Sequence, residues 1–455
     1  MRTKIVNPLN VDVLIAGGGV AGAAAAAALS QLDLSILIIE PGPSQDRRLA
    51  GELIHPPGVD GLRQLGLLSD KADLGSKVQG FAISSSDEDP ASILLPYGER
   101  QGLDCSGLAI EHQTLKNHLF DAVRQFPGVT AWLGSRVTRM EREPDGPFAA
   151  VIRCDDGEKR VRARLIIGAD GSMSQVRKLT GIPFSTHRYS AMMGIEVEDR
   201  HLPHPGYGNI FLNPAAGISY AYSIGQGRAR IMFEVLRGHR SEESIRNHLS
   251  LFPASFRSDA ERVLAISKPL AAANFRIIPD VVAKSNVVLV GDARGCCHPV
   301  TASGITTAVK DALILRDALR ATNFDIPAAL HRYSVVCGRL QLTRRTLAEE
   351  LREAFLAKTP EALLLKQCIF SYWQTSGKSR THSMALLSTL DSSIFSLAIQ
   401  YALVVLRSFH LLPHWSRENA IGAWRMGVLK LLAKSLSFQH LAIRKWLKER
   451  STVAG

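Results

Sequence analysis

The sequence predicts an α/β protein in three parts: an α/β domain that opens with a β-α-β unit, a largely antiparallel β-sheet inserted into that domain, and a helical C-terminal region. Three observations predict it. Residues 11–40 read as a strand, a helix and a second strand. Residues 189–236 contain strand-like segments separated by glycine turns. Beyond Leu313 the apolar pattern is helical almost to the end of the chain.

Length and composition limit the class of protein. The chain has 455 residues, of which 46% are hydrophobic and 21% charged, and its mean hydropathy is +0.04. These values are typical of a folded protein of two or three domains, and they exclude a disordered chain, a collagen-like chain and a polytopic membrane protein. The six scattered cysteines favour a reducing, cytosolic compartment, and we expect no secretion signal.

The β-α-β unit carries a glycine fingerprint for a dinucleotide. A strand over residues 11–16 leads into a glycine-rich turn, an alanine-rich helix and a second strand that ends at Glu40. Such a turn lets the backbone approach a pyrophosphate at the helix N-terminus, and an acid at the second strand end accepts hydrogen bonds from ribose hydroxyls. The alternative is a glycine-rich turn without a ligand. The small residues of the turn are Gly17, Gly19, Ala21 and Gly22.

Two later segments distinguish a flavin from a nicotinamide as the primary ligand. Leu165–Arg177, which contains Ala-Asp-Gly-Ser, resembles the Asp-Gly motif of flavoprotein monooxygenases (group A), and Val290–Ala293 resembles their Gly-Asp motif. The motifs occur in that family's order. The resemblance implies the para-hydroxybenzoate-hydroxylase fold, with a Rossmann-like FAD-binding domain and Asp170 in the FAD site.

The segment after the Gly-Asp motif indicates how the flavin is held. Asp292, at a strand end, is placed to hold a ribityl hydroxyl, the alternative being a helix cap. Gly304 and Ile305 begin a predicted helix whose amide groups face the pyrimidine edge of the flavin.

Within this family the chain resembles the squalene epoxidases. The segment from Arg48 to Gly58 is similar to their Arg-x-x-Gly-Glu-x-x-x-Pro-Gly-Gly, and residues 291–306 keep their spacing from Gly-Asp-Ala to His-Pro-Leu-Thr-Gly-Gly-Gly-Met-Thr. The resemblance implies that Glu40 binds the adenosine ribose. The resemblance also assigns to the FAD site Arg48, Leu53, Val137, Asp292 and Ile305. For Leu53 and Val137 the alternative is a place in the hydrophobic core.

The chain departs from the squalene epoxidase pattern in two segments, at residue 81 and at residues 302–303. Phe81 lies where that family carries a tyrosine that helps set the hydrogen bonding of the flavin and active site, so it is the candidate catalytic-site residue here. Phenylalanine cannot form that hydrogen bond. Ala302 and Ser303 replace two glycines near the flavin, which narrows the space there.

Two histidines invite other interpretations. His298 follows Cys296 and Cys297, but we predict no metal site, because neighbouring side chains diverge and no second ligand cluster has the spacing of a structural zinc site. His55 is interpreted as a packing or hydrogen-bonding residue rather than an acid-base catalyst.

The motifs and the strand pattern predict a discontinuous domain organisation. The FAD-binding domain is expected in three pieces and the substrate domain in two. The expected boundaries are 1–78 (FAD-binding), 79–101 (substrate), 102–182 (FAD-binding), 183–269 (substrate), 270–345 (FAD-binding) and 346–455 (helical, membrane-associated).

The C-terminal region predicts attachment to a membrane surface. Residues 394–406 form a run of 13 uncharged residues, shorter than the ~20 that a helix needs to cross a bilayer. Farther on, Trp415, Trp424 and Trp446 accompany leucines and, between positions 407 and 450, nine basic and two acidic residues. This pattern suits an anionic bilayer rather than nucleic acid. We expect a monotopic or peripheral protein on the cytoplasmic face; the alternative is a solvated basic face on a helical cap.

The predicted activity is FAD-dependent monooxygenation: epoxidation of an alkene in a lipophilic, terpenoid-like molecule such as squalene or a prenylated or polyketide product. FAD, reduced by NAD(P)H directly or through a flavin or ferredoxin reductase, would bind O2 as a C4a-hydroperoxide. One alternative is an aromatic-ring hydroxylase of the quinone-biosynthesis type, which usually needs a polar group to activate the ring hydroxyl. The other is a membrane flavoprotein without catalytic activity.

Overall fold

The structure is a computed structural model that describes residues 8–42, 49–69, 74–85, 92–98, 105–144, 146–417 and 420–453, with the side chains of residue 417 and residues 441–453 excepted. The strands are β1 (Leu9–Ala16), β2 (Ile36–Glu40), β3 (Leu53–Ile54), β4 (Ser76–Val78), β5 (Gly80–Ser85), β6 (Ile93–Pro96), β7 (Gly107–Ala109), β8 (Val129–Leu133), β9 (Arg136–Arg142), β10 (Phe148–Cys154), β11 (Gly157–Gly168), β12 (Phe184–Glu198), β13 (Gly208–Asn213), β14 (Gly217–Gly225), β15 (Arg228–Leu236), β16 (Leu270–Pro279), β17 (Ala283–Lys284) and β18 (Val287–Leu289). The α-helices are α1 (Val20–Ser30), α2 (Pro56–Gln64), α3 (His112–Val123), α4 (Gln175–Leu179), α5 (Ser241–Leu249), α6 (Ala254–Ile266), α7 (Gly304–Ala321), α8 (Ile326–Leu356), α9 (Pro360–Thr375), α10 (Gly377–Leu387), α11 (Ile394–Leu406), α12 (Ser408–Arg417) and α13 (Ile421–Val453).

The first sheet has a parallel centre. Its strand order is β17-β18-β11-β1-β2-β8, and β10 and β9 extend it antiparallel from β11. Val13 of β1 lies opposite Leu165 of β11 on one side and Ile36 of β2 on the other. All five residues of β2 are buried, as expected for a parallel sheet that is covered on both faces. The alanines at positions 23–28 of α1 are fully buried and let this helix pack against α7. The predicted Rossmann-like domain is confirmed.

The second sheet is the predicted insertion. Its order is β16-β12-β15-β14-β13-β5-β6, and only β13 and β5 among these neighbouring strands run parallel. Because side chains alternate along a strand, its two faces belong to different cores. Ala221 packs on the side of α5 and α6, with Phe252. Tyr220 and Tyr222 face the other core, which contains Phe81 and residues of α8 and α9. The second sheet therefore joins the C-terminal helices to the rest of the protein.

The sheets suggest how the chain divides into domains. β5 and β6 belong to the second sheet, in the expected segment 79–101. The expected boundary at residue 270 falls at the first residue of β16, which pairs with β12 in the same sheet. We propose that the substrate domain extends to Pro279 and that the remaining boundaries lie where the sequence places them.

The C-terminal region is helical, as predicted. α8 begins where the carboxylate of Asp325 accepts the N–H of Ala328 at 3.1 Å, with Pro327 in the first turn. By length and composition, one described segment, Ile394–Ser416, is long and apolar enough to cross a membrane. Only 39% of its apolar window is buried inside the protein, so most of it forms surface.

Candidate active site

The glycine-rich turn packs too closely for side chains at several of its positions, and at Gly17 and Gly22 the obstacle is backbone. A Cβ on Gly22 would lie 1.8 Å from the carbonyl oxygen of Gly17, and one on Gly17, where φ is +108°, would lie 2.6 Å from that of Ala169. Gly19 differs, because a Cβ there meets nothing within 4 Å. Its amide edge at the start of α1 thus faces open space, as a phosphate-binding helix end requires. Ala21 lies against Gly291, where an added Cβ would be 2.7 Å away.

The carboxylate of Glu40 is held in place at the end of β2. Its Oε2 accepts the N–H of Gly18 at 2.6 Å, and its Oε1 accepts a hydrogen bond from Nζ of Lys116 at 2.6 Å. Glu40 is 8% exposed. Lys116, on α3, was not predicted, and the motif spacing gives no signal for it. The carboxylate is oriented by two donors and retains lone pairs for ribose hydroxyls.

Asp170 supplies an unsatisfied acceptor. Its Oδ2 accepts the N–H groups of Gln175 and Val176 at 2.7 and 3.0 Å. Its Oδ1 is buried and has no hydrogen-bond partner among the described residues. Since buried polar atoms are normally hydrogen-bonded, this oxygen fits a ligand donor. Arg177 donates to the carbonyl oxygens of Ala293 at 2.8 Å and Ser172 at 2.7 Å, which ties the Asp-Gly loop to the Gly-Asp loop.

Asp292 lies in the loop that precedes α7. It is exposed to solvent in the turn of residues 291–294, yet burial raises the pKa of its carboxyl, and Arg344 and Arg294 oppose that rise. A carboxylate that solvent reaches is available to accept a hydrogen bond from a ligand hydroxyl. The turn is anchored on α7, because the N–H of Gly291 and Nε of Arg294 both donate to Asp311 at 2.8 Å.

The predicted helix start at Gly304 is confirmed. α7 begins there, after Ser303, and a Cβ on Gly304 would meet nothing within 4 Å. Ile305 is 8% exposed. Ala302 has φ +49°, in the left-handed region that favours glycine, which gives a physical reason for the glycine of the squalene epoxidase pattern at this one position. The amide edge of α7 is therefore open, like that of α1.

Phe81 is buried beside a hydroxyl from the neighbouring strand. Its ring lies 5.9 Å from that of His55 and 6.5 Å from that of Tyr97, which follows β6. The Nε2 of His55 is 2.7 Å from the carbonyl oxygen of Thr301, and its Nδ1 is 2.7 Å from the hydroxyl of Tyr97. A carbonyl only accepts, so Nε2 carries the proton and Tyr97 donates to Nδ1. His55 is a hydrogen-bonding residue, and it holds the turn before α7.

The three remaining residues that were predicted for the FAD site lie in different parts of the protein. Leu53 is buried in the core that also contains Phe81. Val137 is buried with Leu14 on one face of the first sheet. Arg48 lies outside the described residues. Leu53 and Val137 thus occupy core positions, and their contact with FAD remains a prediction.

A buried ion pair joins the segment before β3 to the second sheet. Arg230 of β15 donates from Nε and Nη2 to the carboxylate of Glu52 at 2.9–3.2 Å, and the hydroxyl of Tyr222 donates to the same carboxylate at 3.1 Å. All three side chains are buried. Glu52 belongs to the Gly-Glu pair of the squalene epoxidase-like segment, and its partner Arg230 was not predicted. His298, next to the two cysteines, bonds Glu234 at 3.0 Å through Nε2.

Two open helix ends, the carboxylate of Glu40 at the end of β2 and two loop aspartates form an arrangement that fits the predicted dinucleotide site. The family comparison identifies it further. Residues 10–323 match the family described as FAD binding domain, and the chain belongs to this family. The protein is an FAD-dependent monooxygenase, and NAD(P)H is the typical electron source of the family.

Individual relatives agree with this class. The chain is 27% identical to Squalene epoxidase 3 of Arabidopsis thaliana over 415 residues, which are 87% of this chain and 78% of the relative. It is 26% identical to the squalene monooxygenase of Mus musculus, over 84% of this chain and 68% of the relative. The structure of p-nitrophenol 4-monooxygenase PnpA from Pseudomonas putida superposes with a TM-score of 0.72 at 18% identity, covering 84% of this chain and 99% of PnpA. At this identity, the similarity to PnpA shows only that the two proteins share a fold.

Proposed function

We propose that the protein epoxidises an alkene in a lipophilic, terpenoid-like substrate. Reduced FAD supplies the oxygen chemistry: one atom of O2 goes to the substrate and the other leaves as water. The chain's own residues bind FAD, orient the substrate and exclude water. Resemblance to squalene epoxidases over most of the chain supports epoxidation as the reaction.

The observation that carries the proposal is the apolar core beside the turn before α7. One core cluster joins Phe81 and Ile210 of the second sheet, Val300 of the turn, and Leu365 and Trp373 of α9. The buried charges Glu52 and Arg230 on this side neutralise each other. An uncharged, apolar substrate therefore matches this region better than a charged one.

An apolar pocket lies next to this core cluster, among the C-terminal helices. It lies between α8, α9, α10 and α11, and its walls include Leu351, Ile369, Trp373 and Tyr401. These four residues also belong to the core cluster that contains Phe81. Apolar side chains thus extend from the second sheet to the outer helices, which suits a long hydrocarbon substrate.

The His55–Tyr97 pair bears on the alternative reaction, hydroxylation of a phenol. Such a reaction needs a group that takes the phenol proton, and Tyr97 could pass one to Nδ1 of His55. Burial lowers the pKa of His55 to about 4, so the imidazolium is disfavoured at neutral pH. This observation favours the alkene over the phenol.

Oxygen-isotope labelling tests the reaction. The FAD-loaded protein would receive NADPH and 18O2, with and without a reductase, and squalene, a prenylated quinolone and a phenol would be offered together. Mass spectrometry should find one 18O atom on an alkene and none on the phenol. Label on the phenol alone would replace epoxidation by aromatic hydroxylation. Bound FAD without any labelled product would favour the flavoprotein without catalytic activity.

We propose that FAD is held by both open helix ends. Its pyrophosphate lies at the start of α1, its ribose at Glu40, and its ring at the amides of Gly304 and Ile305. Asp170 and Asp292 bind the hydroxyls and phosphates between, directly or through water. The other residues of this proposed site are Gly17, Gly19, Ala21, Gly22, Arg48, Leu53 and Val137.

Flavin content tests this assignment. E40A and D292A should each retain several-fold less FAD than the unaltered protein after gel filtration, because each loses an acceptor for a ribose or ribityl hydroxyl. The control is D60A, whose carboxylate lies exposed on α2 and pairs with Arg63 at 3.7 Å. Unchanged flavin content in both site variants would refute the site.

We further propose attachment to the cytoplasmic face of a membrane, as a monotopic or peripheral protein. Large apolar side chains are exposed on α11, α12 and α13, and on α13 they recur every three or four residues from Met426 to Leu436, so they form one stripe. A contiguous apolar surface marks an interaction site. The exposed residues are Phe395, Ile399, Leu403, Leu406, Phe409, Ile421, Met426, Leu429, Leu432 and Leu436.

The predicted aromatic and basic anchors contribute less than the exposed apolar stripe. Trp415 and Trp424 are buried, and each donates its indole N–H to an oxygen of a neighbouring helix. Lys430 and Lys434 form ion pairs with carboxylates of α9 and α8. The side chain of Trp446 lies outside the described residues. Buried indoles and paired ammonium groups leave the aliphatic stripe as the basis of the membrane proposal.

Vesicle flotation tests the attachment. The double variant L403E/L436E places one charge on the exposed apolar side of α11 and one on the stripe of α13. It should lose most of its binding to phosphatidylcholine–phosphatidylserine vesicles. The matched control is I266E, because Ile266 is 83% exposed at the end of α6, in the substrate domain. Equal flotation of all three proteins, or none by the unaltered protein, would reject this surface.

A further inference from the structure

A buried arginine is attached to the amino end of α7. Arg344, on α8, is 8% exposed. Its Nε–H donates to Oγ of Ser303 at 2.8 Å, and its Nη1 donates to Oε1 of Gln341 at 3.3 Å. Ser303 immediately precedes α7 and also bonds the hydroxyl of Thr301 at 2.8 Å. The guanidinium is therefore fixed directly beside the open end of this helix.

Arg344 lacks the partner that buried cations usually have. Both acceptors of its hydrogen bonds are neutral, and it forms no ion pair with the described residues. Two other buried arginines do: Arg294 pairs with Asp311 at 2.8 Å and Arg230 with Glu52 at 2.9 Å. An unpaired buried charge is strongly unfavourable. The unpaired charge of Arg344 therefore points to a negatively charged group on a ligand that binds in the FAD site.

The charge of Arg344 reaches the residues that line this site. It opposes the rise that burial imposes on the pKa of Asp292, and it contributes to the lowered pKa of His55. Asp292 begins the loop before α7 and His55 bonds its far end. The field of Arg344 thus adds to the positive end of the α7 dipole on the side of the proposed flavin ring.

We propose that Arg344 is an electrostatic positioning residue that raises the reduction potential of FAD bound at α7. Hydride transfer from NAD(P)H produces NAD(P)⁺ and leaves one negative charge on the flavin ring. A buried positive charge near that ring stabilises the reduced form over the neutral oxidised form. The inference rests on the proposed position of FAD and is independent of the substrate.

Spectrophotometric titration of the bound flavin against reference dyes tests the proposal. R344Q and R344M should shift the reduction equilibrium about tenfold toward oxidised FAD, equal to about 30 mV for a two-electron couple. R344K should keep most of the potential, because it keeps the charge while losing the planar fork. The control is R352Q, also on α8, whose guanidinium lies over the Tyr189 ring at 4.6 Å; its potential should not change.

The outcomes separate this proposal from the proposed reaction. An unchanged potential in R344Q or R344M with FAD retained overturns it, and so does a shift in R344K as large as that in R344Q. If R344Q does not fold, R344M fills the same space with an apolar chain and serves for the comparison. The expected shift in a protein that yields no labelled epoxide would reject only the epoxidase proposal.

Discussion

The two helix ends at the proposed FAD site are built in opposite ways. Before α1, glycines remove every side chain from the closest approaches, and the Cβ that Gly22 lacks would lie 1.8 Å from a backbone oxygen. Before α7, Ala302 takes a left-handed conformation despite its Cβ, and two side chains from elsewhere, His55 and Arg344, hold the turn. The first end depends on close backbone contacts that leave no room for a Cβ, and the second depends on side chains from distant parts of the chain.

This difference predicts how each helix end responds to a substitution. A local backbone contact cannot relax, so a single added methyl group should disrupt the first turn. A turn held by several side chains loses only one contact at a time and should respond in small steps. Variants at the two ends can break or sharpen this comparison.

The largest expected effect is at the first turn. G22A forces a methyl group against the carbonyl of Gly17 and should destabilise the protein by more than about 3 kcal/mol, with loss of FAD. Thermal unfolding and the flavin-to-protein ratio measure it. The control is G338A in α8, where an added Cβ meets nothing within 4 Å. Normal flavin content in G22A would contradict the comparison.

The next effect is a pH dependence from His55. Burial lowers its pKa to about 4 from an ordinary 6.5, so between these values the unfolded chain binds the proton and the folded protein does not. Stability therefore falls as pH decreases from about 6.5 to 4. H55Q keeps one donor and one acceptor without titrating. From pH 7 to pH 5 it should lose about 2 kcal/mol less than the unaltered protein in chemical denaturation. Parallel losses in both proteins would show that His55 is not buried as a neutral group.

A smaller effect is expected from the hydroxyl that bonds His55. Y97F leaves Nδ1 of His55 without its donor and should cost about 1 kcal/mol, measured as a lower denaturation midpoint. The matched control is Y207F, since the Tyr207 hydroxyl forms no hydrogen bond with the described residues. If both variants lose the same stability, the Tyr97 bond adds nothing specific to the turn.

The smallest effect is at Ala302. A302G relieves the left-handed strain but adds chain entropy, and the net gain should be about 0.5 kcal/mol. A357G at the end of α8, where φ is +44°, should gain a similar amount. Only A302G should alter the absorption spectrum of the bound flavin. Identical flavin spectra in the two variants would place Ala302 away from the ring.

The same contrast explains what the sequence could predict. The β-α-β unit, the order of the two loop motifs and the start of α7 at Gly304 depend on residue types within one segment, and a single chain reveals them. Lys116, Tyr97 and Arg344 bond partners that are 76, 42 and 41 residues away in the chain. No spacing rule encodes such contacts, because they arise only when separate elements pack together.

The C-terminal region shows a related limit. The sequence places tryptophans and lysines among leucines, and this pattern does not distinguish a membrane face from a core. Packing decides the question: Trp415 and Trp424 turn inward while Leu436 is 64% exposed. Helical periodicity identifies a stripe, but its direction depends on which neighbouring helices cover it.

A crystal structure of the FAD-bound protein would test the central claim most directly, namely that both open helix ends meet one cofactor. The pyrophosphate should lie against the amide of Gly19, with the adenosine ribose bonded to Glu40. The flavin ring should lie against Gly304 and Ile305, with its pyrimidine edge toward the end of α7 that Arg344 supports. A ring turned away from α7, or FAD bound elsewhere on the protein, would contradict the account.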